Sequence, residues 1–238
     1  MNSTDLMKPT DEEISISKEW SSSLFSSDVS NLAFSFFYDG NLSSSLIGNW
    51  QLNQYAEQLD KCRKRRSLVL FDLETGLELQ CLLTEYTDYP ALEWVVFFEN
   101  KGDDITPIIS DVQVADLTFS VKDAGDFILH HAEGSHARIT DFQPQGEILV
   151  PGEEKRFVPY GGRSSDGVLP FFNLEKPDST GIITGVGWSG QWEVSFTSQD
   201  DTCVDFQAGM ESTKLVLRPR EKIRTPAILL LFYNGNWI

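Results

Sequence analysis

Short strand-like segments separated by turn residues run through nearly the whole chain, and no other feature constrains its fold as strongly. Residues 92–100 carry apolar side chains in a half-alternating pattern, and a turn at 101–104 closes the segment. Helical spacing is hard to find, with weak candidates only at 11–14 and 53–64. Many short strands separated by Gly, Pro and Asp are typical of a β-sandwich or barrel. Further strands are predicted at 108–114, 116–121, 127–131, 148–150, 157–160, 181–186, 192–197, 202–208, 213–217 and 226–233.

Length and composition favour one large domain. The chain has 238 residues, of which 40% are hydrophobic and 12% aromatic, so it can bury a sizeable core. All-β sandwiches of about 200–250 residues commonly form a single unit, and the sixteen Phe and six Trp suit a half-buried pleated surface. We therefore predict an all-β protein, a large two-sheet β-sandwich with few short helices.

The charge of the chain argues against two classes of partner. Asp and Glu number 36 against 19 Lys and Arg, which gives a formal net charge of −17. A surface this acidic repels the phosphate backbone of nucleic acids and anionic lipids, so neither nucleic acid nor membrane is predicted as a partner. The basic run at 61–66 is the local exception, and we predict a solvated loop there, before an apolar strand at 67–71.

Cysteine spacing and the two ends of the chain add further expectations. Cys62, Cys81 and Cys203 are widely separated, which argues against a disulfide framework and a structural zinc site; no cofactor is predicted. Residues 1–13 show no secretory signal, so a cytoplasmic location is predicted. The strong β segment 228–233 is followed by a hairpin-type turn, Asn234-Gly235, and then only by residues 236–238. This ending predicts that the natural polypeptide continues.

Two glycine-rich segments, 160–167 and 185–192, contain the residues best suited to carbohydrate chemistry. Glycines on both sides of Trp188 let the backbone bend and leave the ring free to project. Sugar sites use such rings because the C–H face of a pyranose packs on an aromatic plane, while polar neighbours bond the hydroxyls. Gln191, Ser189, Asn173 and Arg163 could supply those bonds. The alternative is that Trp188 only fills a corner of the core.

Several motifs in a fixed order resemble family 36 glycoside hydrolases, the α-galactosidase group. They are residues 34–40 (Phe-Ser-Phe-Phe-Tyr-Asp-Gly) with Ser43-Ser44-Ser45, 134–138 (Gly-Ser-His-Ala-Arg) with 141–144, 162–173, 187–192 (Gly-Trp-Ser-Gly-Gln-Trp), and 208–211 with 224–226. The resemblance implies a β-sandwich similar to galactose mutarotase, preceding a (β/α) barrel whose two aspartates act in a retaining mechanism. It implies an N-terminal extension at 1–30 and an N-terminal β-sandwich domain at 31–238, without the catalytic barrel.

In function, the resemblance implies a non-catalytic domain that braces the barrel of a parent α-galactosidase-type enzyme and lends aromatic residues to its sugar pocket. The substrate-binding residues it suggests are Trp188, Trp192, Arg163 and Asp166, and the catalytic aspartates have no counterpart here. The implied partners are the missing barrel, an α-galactoside-like carbohydrate bound by the parent enzyme, and a second copy of the chain in a homo-oligomer.

Other functions stay open from sequence. An independent carbohydrate-binding module would bind sugar through exposed aromatic rings. A small aldose epimerase would need a His acid and a carboxylate base across one groove, whereas His130, His131 and His136 lie in one segment. The same three histidines could also be considered as metal ligands. Adjacent residues on a strand point to opposite faces, so His130 and His131 would not readily share a metal ion, and no metal is predicted.

Overall fold

The computed structural model describes residues 8–26 and 28–235, and these form a two-sheet antiparallel β-sandwich. The all-β prediction is confirmed. Residues 236–238, on which the prediction of a continuing polypeptide partly depends, lie outside the described residues.

One sheet has seven strands, in the order β10-β13-β14-β7-β1-β2, with β15 also paired to β7. All of its pairings are antiparallel. Its strands are β1 (Ser35–Tyr38), β2 (Asn41–Leu42), β7 (Ile109–Ser120), β10 (Glu154–Phe157), β13 (Trp192–Ser198), β14 (Cys203–Met210) and β15 (Lys214–Leu215).

The other sheet has nine strands, in the order β3-β4-β5-β6-β16-β12-β11-β8-β9, and all of its pairings are also antiparallel. Its strands are β3 (Gln51–Gln58), β4 (Arg63–Phe71), β5 (Leu77–Tyr86), β6 (Ala91–Asn100), β8 (Ile128–Ala132), β9 (Pro144–Ile148), β11 (Phe171–Glu175), β12 (Thr180–Gly187) and β16 (Lys222–Asn234). Three short 3-10 helices lie at Val29–Asn31, Ser43–Ser45 and Ile47–Asn49.

The core lies between the two sheets and is rich in aromatic side chains. Strand β6 shows how the alternating sequence produces it, because Trp94, Val96 and Phe98 are buried while the residues between them face outward. Phe98 packs edge-on against Phe36 of the opposite sheet, with ring centroids 5.1 Å apart. The indole Nε1 of Trp94 donates to the carbonyl oxygen of Val114 at 2.7 Å, which satisfies its one polar atom inside the core.

The single α-helix of the described residues, α1 (Asp11–Leu24), packs against the sandwich. It begins at a capping box in which Thr10 accepts from the Glu13 amide and Glu13 accepts from the Thr10 amide. The helix is longer than the predicted 11–14, because Trp20 packs on Phe119 and Phe232 at centroid distances of 5.4 and 5.6 Å. No helix in the described ranges is both long and apolar enough to cross a membrane.

Two local predictions near residue 60 are wrong. The candidate helix at 53–64 is a β-hairpin, in which β3 pairs with β4 from Gln51↔Phe71 to Gln58↔Lys64. The predicted loop at 61–66 is strand from Arg63 onward, because β4 pairs with β3 on one side and β5 on the other and buries Leu68 and Leu70 in the core. The basic side chains of this strand form ion pairs with acidic neighbours. These ion pairs are Arg63–Asp60, Lys64–Glu85, Arg65–Glu57 and Arg66–Glu85.

Candidate functional site

The glycine-rich segment 160–167 forms a tight loop between β10 and β11. Its glycines Gly161, Gly162 and Gly167 have positive φ angles of 62°, 73° and 86°. The amide of Tyr160 donates to the carbonyl oxygen of Asp166 at 2.9 Å and closes the loop at its base. The candidate site residues in this segment therefore lie on one short, closed turn.

Arg163 and Asp166, two of the four predicted site residues, form an ion pair. The Arg163 guanidinium donates to Oδ2 of Asp166, and the other carboxylate oxygen, Oδ1, lies 3.3 Å from Nδ1 of His136. Asp166 is only 8% exposed, whereas the Arg163 side chain is 77% exposed. A buried carboxylate requires such partners to offset its lost hydration. Asp166 therefore does not face solvent itself. It orients the Arg163 guanidinium and the His136 imidazole, which a ligand can reach.

His136 is a further candidate site residue, and the sequence pattern did not connect it with this loop. It lies in the segment 133–143, where the Ser135 amide donates to the carbonyl oxygen of Ser165 at 2.9 Å. Gly134 permits this approach, because a Cβ there would lie 2.1 Å from the same oxygen. The motif at 134–138 marked this segment as part of the family resemblance. Nothing in the sequence pattern indicates that His136 contacts Asp166.

The segment 133–143 is held in shape by one carboxylate. Asp141 accepts hydrogen bonds from the amides of His136, Ala137 and Arg138 at 2.9, 2.9 and 3.1 Å, and from the Ser135 hydroxyl at 2.9 Å. The bond from the His136 amide is the main reason that the pKa of Asp141 is lowered. The ionised carboxylate therefore keeps His136 and Arg138 in place.

Trp192 is fully buried, at 0% exposure, and its ring packs on Phe172 at a centroid distance of 6.0 Å. Its indole Nε1 donates to the carbonyl oxygen of Ser164 at 2.8 Å. The ring presents no face to solvent in this chain. Through this hydrogen bond, Trp192 connects the core to the loop that carries Arg163 and Asp166.

Trp188 lies at the turn after β12 and is partly buried against the core. The neighbouring Gln191 links this turn to the previous loop, since its Nε2 donates to the Pro159 carbonyl at 2.6 Å and its Oε1 accepts from the Gly162 amide at 2.8 Å. The segments 133–143, 158–169 and 188–191 are therefore joined by hydrogen bonds. We call them the three-loop cluster, and it contains all four predicted residues except Trp192, which supports it from the core.

A groove with a volume of about 380 Å³ opens beside the three-loop cluster. Phe157 and Tyr160 are among its walls, and Gln145 and Arg138 supply polar groups. His131 packs in the groove against Phe157 at a tilted angle, with ring centroids 4.7 Å apart. Its partial burial lowers the pKa of the imidazole below the usual value. Its sequence neighbour His130 lies across from Asn173 on the adjacent strand and pairs with Glu175 at 2.9 Å. No three His, Cys, Asp or Glu side chains within 8–26 and 28–235 are grouped to hold a metal ion.

The outer face of the nine-stranded sheet carries an apolar patch among polar residues. Directly opposed residues on neighbouring strands share a face, and here they include Leu82 opposite Val95 and Leu231 opposite Ile183. A depression of about 360 Å³ lies on this face, where Gly185 carries no side chain. Its partly exposed apolar members, which we call the outer apolar face, are Val69, Leu82, Val95, Phe97, Phe171, Ile183, Ala227, Leu229 and Leu231.

Comparison with solved structures adds one finding to this geometry. No protein-family model matches the sequence, and no curated protein matches it. The GH36 α-galactosidase AgaA from Geobacillus stearothermophilus superimposes with a TM-score of 0.62 at 17% identity. This chain has the fold of one part of a GH36 α-galactosidase. The α-galactosidase from Lactobacillus brevis gives a TM-score of 0.66 at 15% identity, and the galactosidase domain of the α-galactosidase-sucrose kinase AgaSK gives 0.63 at 18%. The resemblance stated from the motifs is confirmed at the level of the fold.

The match covers most of this chain but only a minor part of each GH36 chain. It covers 86–87% of this chain but only 29–31% of the three α-galactosidase chains. This chain therefore spans about a third of the length of the GH36 structures that it matches.

Proposed function

We propose that this chain is a non-catalytic β-sandwich domain of an α-galactosidase-like glycoside hydrolase, and that it braces the catalytic barrel of that enzyme. The outer apolar face is the observation that carries the proposal. A sandwich that works alone normally alternates apolar core residues with polar outer residues. Here a group of outward positions on four neighbouring strands is apolar as well, although Gln80, Glu93 and Glu99 on the same face are polar. An apolar patch in the middle of an outer face is expected where another part of the protein covers the sheet.

The catalytic part of the parent enzyme is the proposed occupant of this face. The GH36 structures with the same fold are about three times as long as the matched region, so in those proteins most of the chain lies outside it. Burying apolar surface against that part would stabilise the assembly by about 25 cal/mol for each Å² removed from water. The depression beside Phe171 and Leu229 would accept a protruding side chain of the barrel.

The proposed substrate class is an α-galactoside bound by the parent enzyme. AgaA variants have been solved in complex with raffinose and with stachyose, which supports this class. Within this domain, Trp188, Arg163 and Asp166 are proposed to contribute to the sugar pocket, and Trp192 to hold their loop from below. On this proposal the chain alone hydrolyses nothing, because the two aspartates of a retaining mechanism belong to the barrel. A homo-oligomer and a cytoplasmic location stay predictions.

Two experiments test the proposal. Sequencing the gene beyond the codon for Ile238 is expected to reveal an open frame that encodes a (β/α) barrel with two suitably placed aspartates. A stop codon there would contradict the claim of a domain within a longer glycosidase.

The second experiment places a charge on the outer apolar face. Leu229→Arg puts a guanidinium opposite Glu93, so the sandwich itself should remain folded. We expect unchanged thermal unfolding of the chain but loss of α-galactosidase activity in the full enzyme. Val150→Arg is the matched control, because Val150 is exposed and outside the outer apolar face. Equal activity of Leu229→Arg and the control would overturn the docking role.

A further inference from the structure

The groove beside the three-loop cluster lies at the open side of the sandwich, where the edge strands of the two sheets meet. Strand β9 ends the nine-stranded sheet and β10 ends the seven-stranded sheet. Lys155 of β10 and Glu147 of β9 join these edges through an ion pair of 2.7 Å. The groove is therefore fixed between two tied edges rather than formed by a free loop, and its volume of about 380 Å³ accommodates one or two sugar rings.

Tyr160 provides a fixed aromatic platform at this groove. Tyr160 is 65% exposed, so a ligand can reach its ring. The ring is held against Gly167, where a Cβ would lie 2.3 Å from a Tyr160 ring carbon, and it lies 5.8 Å from the imidazole of His136. An exposed ring that is held in position loses little conformational entropy when a pyranose stacks on it.

Hydrogen-bonding groups surround this platform. Asp166 engages Nδ1 of His136, which leaves the other ring nitrogen for a ligand. The Gln145 side chain donates to Glu133 at 3.0 Å, and its carbonyl oxygen can accept from a hydroxyl. Arg138 lines the same groove on the segment that Asp141 holds rigid. Donors and acceptors that line one groove together with an aromatic ring suit a polyhydroxylated ligand.

The charges in the groove nearly cancel, and this decides the class of ligand. Arg156 is held by two bonds to Glu193, at 2.8 and 2.6 Å, so its charge is neutralised within the protein. Burial keeps His131 uncharged near neutral pH. The carboxylate of Glu133 balances the guanidinium of Arg138. A phosphorylated or sulfated sugar would meet Glu133 without a surplus of cations to bind it.

We propose that this groove binds a neutral carbohydrate, with one pyranose ring stacked on Tyr160. The ring hydroxyls bond to His136, Arg138 and Gln145. This site extends the proposed function, because it gives the domain its own surface for binding sugar. The choice of α-galactosides as probes rests on the proposed function. It is separate from the outer apolar face, so sugar binding and docking can be tested independently.

Titration of the isotope-labelled chain with raffinose tests the proposal by nuclear magnetic resonance. We expect saturable amide shifts at Gly134, Tyr160 and Gly167, with a dissociation constant in the millimolar range that is typical of a small neutral ligand. Tyr160→Ala should weaken binding at least tenfold, and Tyr160→Phe should restore it because stacking needs only the ring. The matched control is Tyr55→Ala, since Tyr55 is exposed to a similar extent, at 63%, on strand β3.

The outcomes separate this site from the bracing role. Absence of saturable shifts, or equal binding by Tyr160→Ala and wild type, would overturn the carbohydrate groove. Tighter binding of galactose 6-phosphate than of raffinose would overturn its assignment to neutral sugars. If raffinose binds as expected while Leu229→Arg leaves the full enzyme active, the groove stands and the bracing role fails. The reverse result would reject the groove and keep the bracing role.

Discussion

The imidazole of His136 lies 3.3 Å from the carboxylate of Asp166, although thirty residues separate them along the chain. The same carboxylate receives the guanidinium of Arg163, so one buried group orients a side chain from each of two loops. We expect Asp166→Asn to lower the free energy of unfolding by about 1 kcal/mol, because it weakens both contacts at a site where the partners are partly exposed. Urea unfolding measures this loss. The exposed Asp123→Asn is the control, and an equal effect of the two substitutions would show that the Asp166 contacts add no stability.

Gly167 and Gly152 form a matched pair for testing the platform beneath Tyr160. Their φ angles are nearly equal, +86° and +85°, but only a Cβ at position 167 would meet the Tyr160 ring. Gly152→Ala is expected to cost about 1 kcal/mol through backbone strain alone, and Gly167→Ala at least about 2 kcal/mol because a collision is added. Chemical denaturation of both variants measures the difference. Equal costs would mean that the ring moves aside freely and is not held.

Trp192→Phe tests the connection between the core and the loop above it. The substitution removes the bond from the indole to Ser164 and leaves a space in the core, so we expect a loss of about 1–3 kcal/mol. Trp94→Phe is the control for stability, because Trp94 is equally buried and its indole donates to the Val114 carbonyl. Only Trp192→Phe should speed amide hydrogen exchange at residues 160–167. Similar exchange in both variants would contradict a role of Trp192 in holding the loop.

The partly buried His131 predicts a dependence of stability on pH. Burial lowers its folded-state pKa below the ordinary histidine value of about 6.5, so the unfolded chain binds a proton more readily than the folded chain. The contribution of His131 to stability is therefore present above pH 6.5 and is lost as the pH falls from 6.5 toward the folded-state pKa. We expect His131→Gln to reduce the loss of unfolding free energy between pH 7.5 and pH 5.5. An unchanged pH profile in the variant would assign the loss to other groups.

Most of the strands were predictable because a strand leaves a local signature in sequence. The alternating run at 92–100 corresponds to β6, and 192–197 and 226–233 correspond to parts of β13 and β16. The two runs at 108–114 and 116–121 are one strand, β7, whose register shifts against β14 between Ala208 and Gly209. A register shift depends on the partner strand, so a single run of residues does not reveal it.

The hairpin of β3 and β4 was missed because its cause is not local. Polar residues such as Gln51 and Gln58 and charged residues such as Arg63 carry little strand preference. They become strand because β4 pairs with both β3 and β5 and anchors the hairpin through the buried Leu68 and Leu70. Helix α1 was underestimated for a similar reason, since Trp20 packs on rings more than 90 residues away.

The sequence by itself determined the fold class, the order of the motifs and the loop that carries Arg163 and Asp166, because alternation, turn residues and glycine spacing act over a few neighbouring residues. Only the tertiary structure decided which side chains meet. It buried Trp192, left Tyr160 exposed against Gly167, and brought His136 to Asp166. It also showed that apolar residues of β5, β6, β12 and β16 share one outer face. Such contacts depend on strand order and register, which long-range packing selects and no local pattern encodes.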